Sequence, residues 1–386
     1  MILVAGASLI SVSLAAYEIG PASVTPLIRE TMGIDAGAAG LIVGAMFGAA
    51  VVASLPVGAV LDRTNSRVAV AVAVLTLFVA GLWGWVAAEG GSYLSLLASR
   101  FVGGLAYVVV WNAGIDIVSE AVSADYRATA VGVFTASGPV GFALGQGTGP
   151  AVAAQFGWPA IFPAFLAIAL VGLALFWPTS RGLGRVGDGS PPGLRDFGDV
   201  FRNRNVWLVA TLGFLGYSLY LFVNSWAPSY LTDEIGLSLA FSGIVAAAFP
   251  AVGVLARISG GALSDSLFGG RRRPVVLASF VVATPFVVSF AVVRSLPVLL
   301  VALVGAGFSI QLTLGLSFAY IRELVTVRVA ATAVAFLTSV GLAGAFFAPI
   351  VGGAIIEATS YDVAFLVAGA LSAAGVVLAW LAPEPG

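Results

Sequence analysis

Apolar stretches of about twenty residues recur along the whole chain, separated by short breaks rich in charge, glycine or proline. Each is long enough to cross a ~30 Å hydrocarbon core as a helix. In lipid every backbone N–H and C=O must be paired internally, which leaves helices or a closed barrel. Barrel strands would alternate apolar and polar residues, and these runs do not. The pattern predicts twelve membrane helices, near residues 3–27, 38–61, 68–88, 93–118, 128–153, 157–178, 205–230, 239–263, 275–293, 296–321, 329–355 and 361–381.

The longest polar interruption runs from Thr179 to Asn205 and contains Pro191 and Pro192. It divides the chain into an N-terminal six-helix bundle (1–178), a linker (179–204) and a C-terminal six-helix bundle (205–386). Met1 runs directly into apolar sequence without a basic region, so the first segment reads as a retained helix rather than a cleaved signal. Positively charged loops stay cytoplasmic. Placing the first loop outside puts Arg63, Arg67, Arg127, Arg181, Arg185, Arg195, Arg202, Arg204, Arg271, Arg272, Arg273, Arg322 and Arg328 inside, against Arg29 and Arg294 outside. A multi-pass protein of the plasma membrane with both termini and the linker cytoplasmic is the expectation.

Composition removes most other classes. Hydrophobic residues make up 60% of the chain and charged residues 9%, with a mean hydropathy of +1.07; a soluble domain carries about 25% charge. The 48 glycines suit close helix approach in lipid. Cysteine and histidine are absent, which removes disulfides, thiolate and imidazole metal sites and the usual catalytic triads. All 17 basic residues are arginine, so no phosphate-binding loop with its lysine exists. No enzyme activity, cofactor, metal, ATP or nucleic-acid partner is expected.

The halves repeat. Gly58 precedes Asp62 by the same interval as Gly261 precedes Asp265, and Asp62 to Glu120 and Asp265 to Glu323 are both 58 residues, so one offset of 203 relates the copies. This is a parallel six-helix repeat. The loop Gly58-Ala-Val-Leu-Asp62-Arg63-Thr-Asn65-Ser66-Arg67 resembles the signature between helices 2 and 3 of the major facilitator superfamily, with Asn65 and Ser66 replacing a glycine and an arginine. Gly261-Ala-Leu-Ser-Asp265, followed by Arg271, Arg272 and Arg273, is its looser copy. Arg100-Phe-Val-Gly103-Gly104 is similar to the family's helix-4 motif. Gly145-x-x-x-Gly149-Pro150 is similar to its helix-5 motif, although Ala153-Ala154 stand where family antiporters carry a glycine pair. Trp226-Ala-Pro228-Ser-Tyr230-Leu231 looks most like the anion symporter branches.

The resemblance implies an all-α fold of two six-helix bundles, a central cavity lined by helices 1, 4, 7 and 10, and a charge latch at the cytoplasmic helix ends. The latch residues are Gly58, Asp62, Arg63, Arg67, Asp116, Glu120 and Arg127, with Gly261, Asp265, Arg271, Glu323 and Arg328 as the second copy. Ordinary topology-setting charge is the alternative reading of the same residues.

A charge at mid-bilayer is costly, about 2.5–3.5 kcal/mol even on insertion scales, and usually faces a partner or a wet cavity. Glu18 on helix 1 and Arg100 on helix 4 lie at similar depth and are expected to form a pair that an anion or a proton disrupts; a static salt bridge is the plainer alternative. Helical spacing puts Tyr107 and Trp111 on the Arg100 face. Tyr17, Tyr217, Tyr220, Asn224 and Gln311 complete the candidate cavity, the amides because buried ones need partners. Arg257, on helix 8, reads as structural.

A secondary active symporter that moves a small organic or inorganic anion by alternating access, coupled to protons, is the leading expectation. Its partners would be that solute, protons and membrane lipid. A proton-coupled multidrug exporter is the nearest alternative. A sensor or scaffold on a transporter fold is the alternative from another class.

Overall fold

The structure, a computed structural model, describes residues 1–61, 63–183, 198, 200–326 and 329–384. Among them eleven helices are long and apolar enough to cross a membrane. A further helix, Ala124–Phe156, is 33 residues long and more polar, with Thr135, Ser137, Gln146, Thr148 and several glycines along it. Together they form the twelve spans of two six-helix bundles.

The first span comprises Ile2–Ile19, a 3-10 turn Gly20–Val24, and Thr25–Met32. The second to fifth are Ala36–Leu61, Ser66–Glu89, Tyr93–Glu120 and Ala124–Phe156, and the sixth is Trp158–Thr179. The seventh is Arg204–Asp233. The eighth is broken into Leu239–Ala246, Ala248–Ala251 and Gly253–Phe268. The ninth to twelfth are Arg272–Val292, Leu296–Glu323, Ala330–Ala358 and Tyr361–Leu381. Local chemistry sets several ends. The Asn65 side chain accepts the Arg67 and Val68 N–H groups at the start of the third span, satisfying donors that a helix start leaves open. Gly33 and Gly269 take the left-handed conformation that closes the first and eighth spans, with φ of 62° and 61°. Of the expected linker, residues 184–197 and 199 lie outside the described part.

One buried cluster draws on spans one to six; the other draws mainly on spans seven to twelve, with contributions from the first half where the two meet. The halves touch along a glycine seam. A Cβ at Gly40 would lie 2.2 Å from the Pro349 carbonyl oxygen, and one at Gly353 would lie 2.3 Å from that of Ala36. Gly44 and Gly48 continue the seam against Phe346. Lipid tails give helices no hydrophobic reason to associate, so this backbone-to-backbone approach is what holds such an interface. At the end of the seam Arg29 meets Glu357 at 2.7 Å across the halves, and the same carboxylate accepts the Ala36 N–H at 3.1 Å. The fifth and eighth spans close similarly: a Cβ at Gly243 would lie 2.5 Å from the Gln146 carbonyl oxygen. On the same side of the C-terminal bundle the Arg294 guanidinium is held above its usual range by its hydrogen bond to Asp362.

Towards the opposite end the halves part. Among the described residues, Cβ positions at Gly58 and Gly132 meet nothing within 4 Å, and the fourth and tenth spans make no extensive contact. Among the described residues the tight backbone contacts between the halves thus gather at the Glu357 end.

Overpacking a dense interface costs typically about 1–3 kcal/mol. Gly40→Val is expected to lower the melting temperature of the purified protein, while Gly132→Ala leaves it unchanged; a thermal unfolding series checks both.

Candidate functional site

The first span carries a proline where its helix needs donors. In α geometry residue 21 donates to the Tyr17 carbonyl, and in 3-10 geometry to that of Glu18. Pro21 has no N–H, so one of these carbonyls, whichever the local geometry assigns to it, loses its partner inside the membrane. Arg100 replaces it. Its Nη1 donates to the Tyr17 carbonyl at 2.9 Å, its Nη2 to the Glu18 carbonyl at 2.6 Å and its Nε to the Ile42 carbonyl at 2.9 Å.

The glycines after Arg100 make this possible. A Cβ at Gly103 would fall 2.9 Å from the Tyr17 ring, and one at Gly104 would fall 2.4 Å from the Met46 carbonyl oxygen. Without side chains there, the fourth span comes close enough for the guanidinium to bridge the first and second. The Arg100 Cζ also sits 4.6 Å from the Tyr17 ring centroid, a cation–π geometry.

These contacts correct the expected Glu18–Arg100 pair. Arg100 is 0% exposed and spends its donors on backbone carbonyls, so the two residues meet through the Glu18 main chain and form no ion pair. Tyr17 is turned into the N-terminal bundle, against Arg100 and Phe162, and not towards a cavity.

Glu18, 2% exposed, has a side chain with no hydrogen bond or ion pair among the described residues. It lies within electrostatic reach of Tyr107 on the fourth span and of Tyr217 and Tyr220 on the seventh. The tyrosines belong to an aromatic wall: Phe47, Tyr107, Trp111 and Phe134 succeed one another at 5.6–6.2 Å between ring centroids. Across the interface Phe142 stacks on Tyr220 at 5.3 Å.

A second cation faces the same group. Arg257, on the eighth span, donates through Nη1 to the Thr135 carbonyl at 3.2 Å across the halves. A Cβ at Gly138 would lie 3.3 Å from Trp111 and 3.8 Å from that Nη1. Arg257 acts electrostatically on Tyr107, Tyr217 and Tyr220, and its Nε is buried with no acceptor. Sequence reasoning assigned it a structural role; as a lone charge inside an apolar span it carried the same signal as Arg100.

Both candidate amides are engaged within the protein. Asn224 is bound through its side chain and carbonyl by Gln146 Nε2 at 3.0 and 2.8 Å, joining the seventh and fifth spans. Gln146, an amide in the middle of an apolar run, carries the same sequence signal as Asn224. Gln311, 0% exposed, donates to the Phe249 carbonyl at 3.2 Å at the break in the eighth span. The groups brought together at the interface are thus Glu18, Tyr107, Trp111, Tyr217, Tyr220 and Arg257.

The family model of the Major Facilitator Superfamily matches residues 2–318 and 268–386. The chain belongs to this superfamily. It is 25% identical over 91% of its length to the "Probable L-galactonate transporter" of Escherichia coli K12, covering 82% of that protein. It is 31% identical over 56% of its length to the "Probable nitrate/nitrite antiporter NarK1" of Thermus thermophilus, covering 50% of it. Among solved structures, a bacterial homologue of the human lysosomal transporter Spinster, inward-facing and unoccupied, matches with a TM-score of 0.82 at 17% identity, covering 98% of this chain and 96% of that one. The protein is a multi-pass membrane transporter of small molecules or ions and not an enzyme.

The superfamily's loop signature is only partly described, because Asp62 and, in the second copy, Arg328 fall outside the described residues. In the C-terminal copy Arg272, rather than the expected Arg271, forms the cluster: it meets Asp265 and Glu323, each at 2.9 Å. Arg271 instead donates from Nε to the Phe268 carbonyl of its own turn. The shift has a simple cause, since Gly269 and Gly270 turn the chain before the ninth span and Arg272 is the first residue of that helix. In the N-terminal copy Arg67 bonds Ser180 and the Trp177 carbonyl, Arg127 bonds the Ser119 carbonyl and Arg63 is exposed. Asp116 and Glu120 lie at the same end of the fourth span, Gly58 is in the second and Gly261 in the eighth.

Each buried carbonyl left unpaired costs about 1–3 kcal/mol. Arg100→Ala is expected to destabilise by several kcal/mol, and Arg100→Lys by nearly as much, because one ammonium cannot reproduce the guanidinium fork. Thermal unfolding of the solubilised protein checks this, with Phe101→Ala on the exposed face as the control.

Proposed function

We infer that the protein is a secondary active transporter of a small anion, coupled to protons, and that it works by alternating access with the Asp265 end cytoplasmic. The observation that carries the anion reading is Arg257: a guanidinium between the halves, near Trp111 and the tyrosines, with a buried donor that no group among the described residues accepts from. The relatives described above are named for L-galactonate and for nitrate or nitrite, all anions. Arg257 takes the anion, the tyrosines and Trp111 form the wall around it, and Glu18 carries the proton. A buried carboxyl that makes no ion pair among the described residues gains most from a proton when the site is dry.

Alternating access is supported by the asymmetry of the interface. The Arg29–Glu357 contact and the glycine seam close one end, and each must separate for the other face to open. Rigid-body rocking of two repeats about a midplane site is how such folds expose it alternately.

Sealed vesicles containing the purified protein, with L-galactonate or nitrate as probe and an imposed pH gradient, test the reading. A hydrogen bond to a charged group contributes about 1.5–3 kcal/mol, so Arg257→Gln should reduce transport roughly tenfold to a hundredfold. Glu18→Gln should keep anion exchange and lose proton-driven accumulation. Movement of lipophilic cations instead, with Arg257→Gln harmless, would replace this reading with the exporter.

A further inference from the structure

Arg67 opens the third span, yet its bonds run sideways to the end of the sixth. Its Nε donates to Ser180 Oγ at 3.1 Å and its Nη2 to the Trp177 carbonyl at 2.9 Å. Its Cζ lies 3.6 Å from the Trp177 ring centroid. Alongside, on the outer face of the bundle, is a groove of about 420 Å³ lined by Ala71, Leu170, Leu173, Ala174 and Trp177.

The arrangement recurs in the other half. Trp380 follows Trp177 by 203 residues, the same offset that relates the two loop signatures, and Arg273, at the start of the ninth span, donates from Nη2 to the Trp380 carbonyl. Trp177 and Trp380 are 40% and 63% exposed, so both face the bilayer. Among the described residues Arg67 and Arg273 donate to neutral acceptors, and neither forms an ion pair. Two positive charges are thus held beside tryptophans at the membrane surface, with no carboxylate in ion-pairing contact among the described residues. Tryptophan settles at headgroup depth, a guanidinium suits bidentate contact with phosphate, and anionic leaflets attract such cations.

The geometry points to a binding site for an anionic phospholipid between the third and sixth spans, with a pseudo-equivalent copy between the ninth and twelfth. Arg67 or Arg273 takes the phosphate, and in the first site the groove takes an acyl chain. This site is independent of the transport site and of the anion reading.

Native mass spectrometry of the detergent-released protein, equilibrated with equal amounts of phosphatidylglycerol and phosphatidylcholine, tests the proposal. The wild type should retain two phosphatidylglycerol molecules in preference to phosphatidylcholine, with a preference of roughly fivefold per arginine. Ala174→Phe, an exposed position on the lipid face, should remove one lipid without disturbing helix packing. Arg67→Gln with Arg273→Gln should abolish the headgroup preference, and Arg67→Lys should keep part of it. Equal retention of the two lipids by the wild type, or unchanged retention by Ala174→Phe, would overturn the proposal, and the Ala174→Phe result stands even if the double arginine variant fails to fold.

Discussion

The bilayer requires every backbone group to find a partner inside the protein, and the first span breaks that rule at Pro21. Everything near the centre of the N-terminal bundle follows from the repair. Arg100 closes the gap with three charge-assisted hydrogen bonds to the first and second spans, and Gly103 and Gly104 give it the room. The bend it holds turns Tyr17 into the bundle and Glu18 towards the opposite half. The broken eighth span shows the same economy: Gln311 from the tenth bonds the Phe249 carbonyl, with Gly253 and Gly307 clearing the space. Buried polar side chains that look like ligand-binding groups serve here to let helices bend in lipid.

This division of labour separates two mid-membrane arginines that composition makes equivalent. Arg100 is engaged by three carbonyls of its own bundle, so releasing it for a substrate would break three charge-assisted hydrogen bonds. Arg257 makes one bond to the other half and keeps a buried donor unused. The interface around it combines a cation, an aromatic wall and the Glu18 carboxyl, contributed by spans of both halves. These groups come from spans of both halves, so a relative motion of the bundles would change their surroundings, whereas the Arg100 clamp is internal to one bundle.

Much of the architecture was legible in the sequence, because hydrophobic length and the 203-residue repeat are properties of local composition and need no knowledge of packing. The twelve spans and the superfamily were read from these. The partners of the charged residues were not. Arg100 and Glu18 do come together, but depth along a helix does not say whether a guanidinium meets a carboxylate or a carbonyl, and the decisive clue was the missing N–H of Pro21. Asn224 and Gln311 satisfy their amides within the protein, as buried amides must, so the argument that selected them for the cavity equally predicted their structural roles. In the second latch, a two-glycine turn moved the ion-pairing role from Arg271 to Arg272, a shift of one residue that charge counting cannot resolve.

On the proposed reading Arg257, and not Arg100, is the cation available to a bound anion. The most direct test is the melting temperature of purified wild type and Arg257→Gln with and without L-galactonate and nitrate, because a ligand that binds the folded state stabilises it by mass action, about 2.7 kcal/mol at a hundredfold excess over Kd. Wild type is expected to be stabilised by at least one of these anions, and Arg257→Gln to melt at the wild-type temperature without anion and to gain nothing from it. An undiminished anion-dependent rise in Arg257→Gln would contradict that reading.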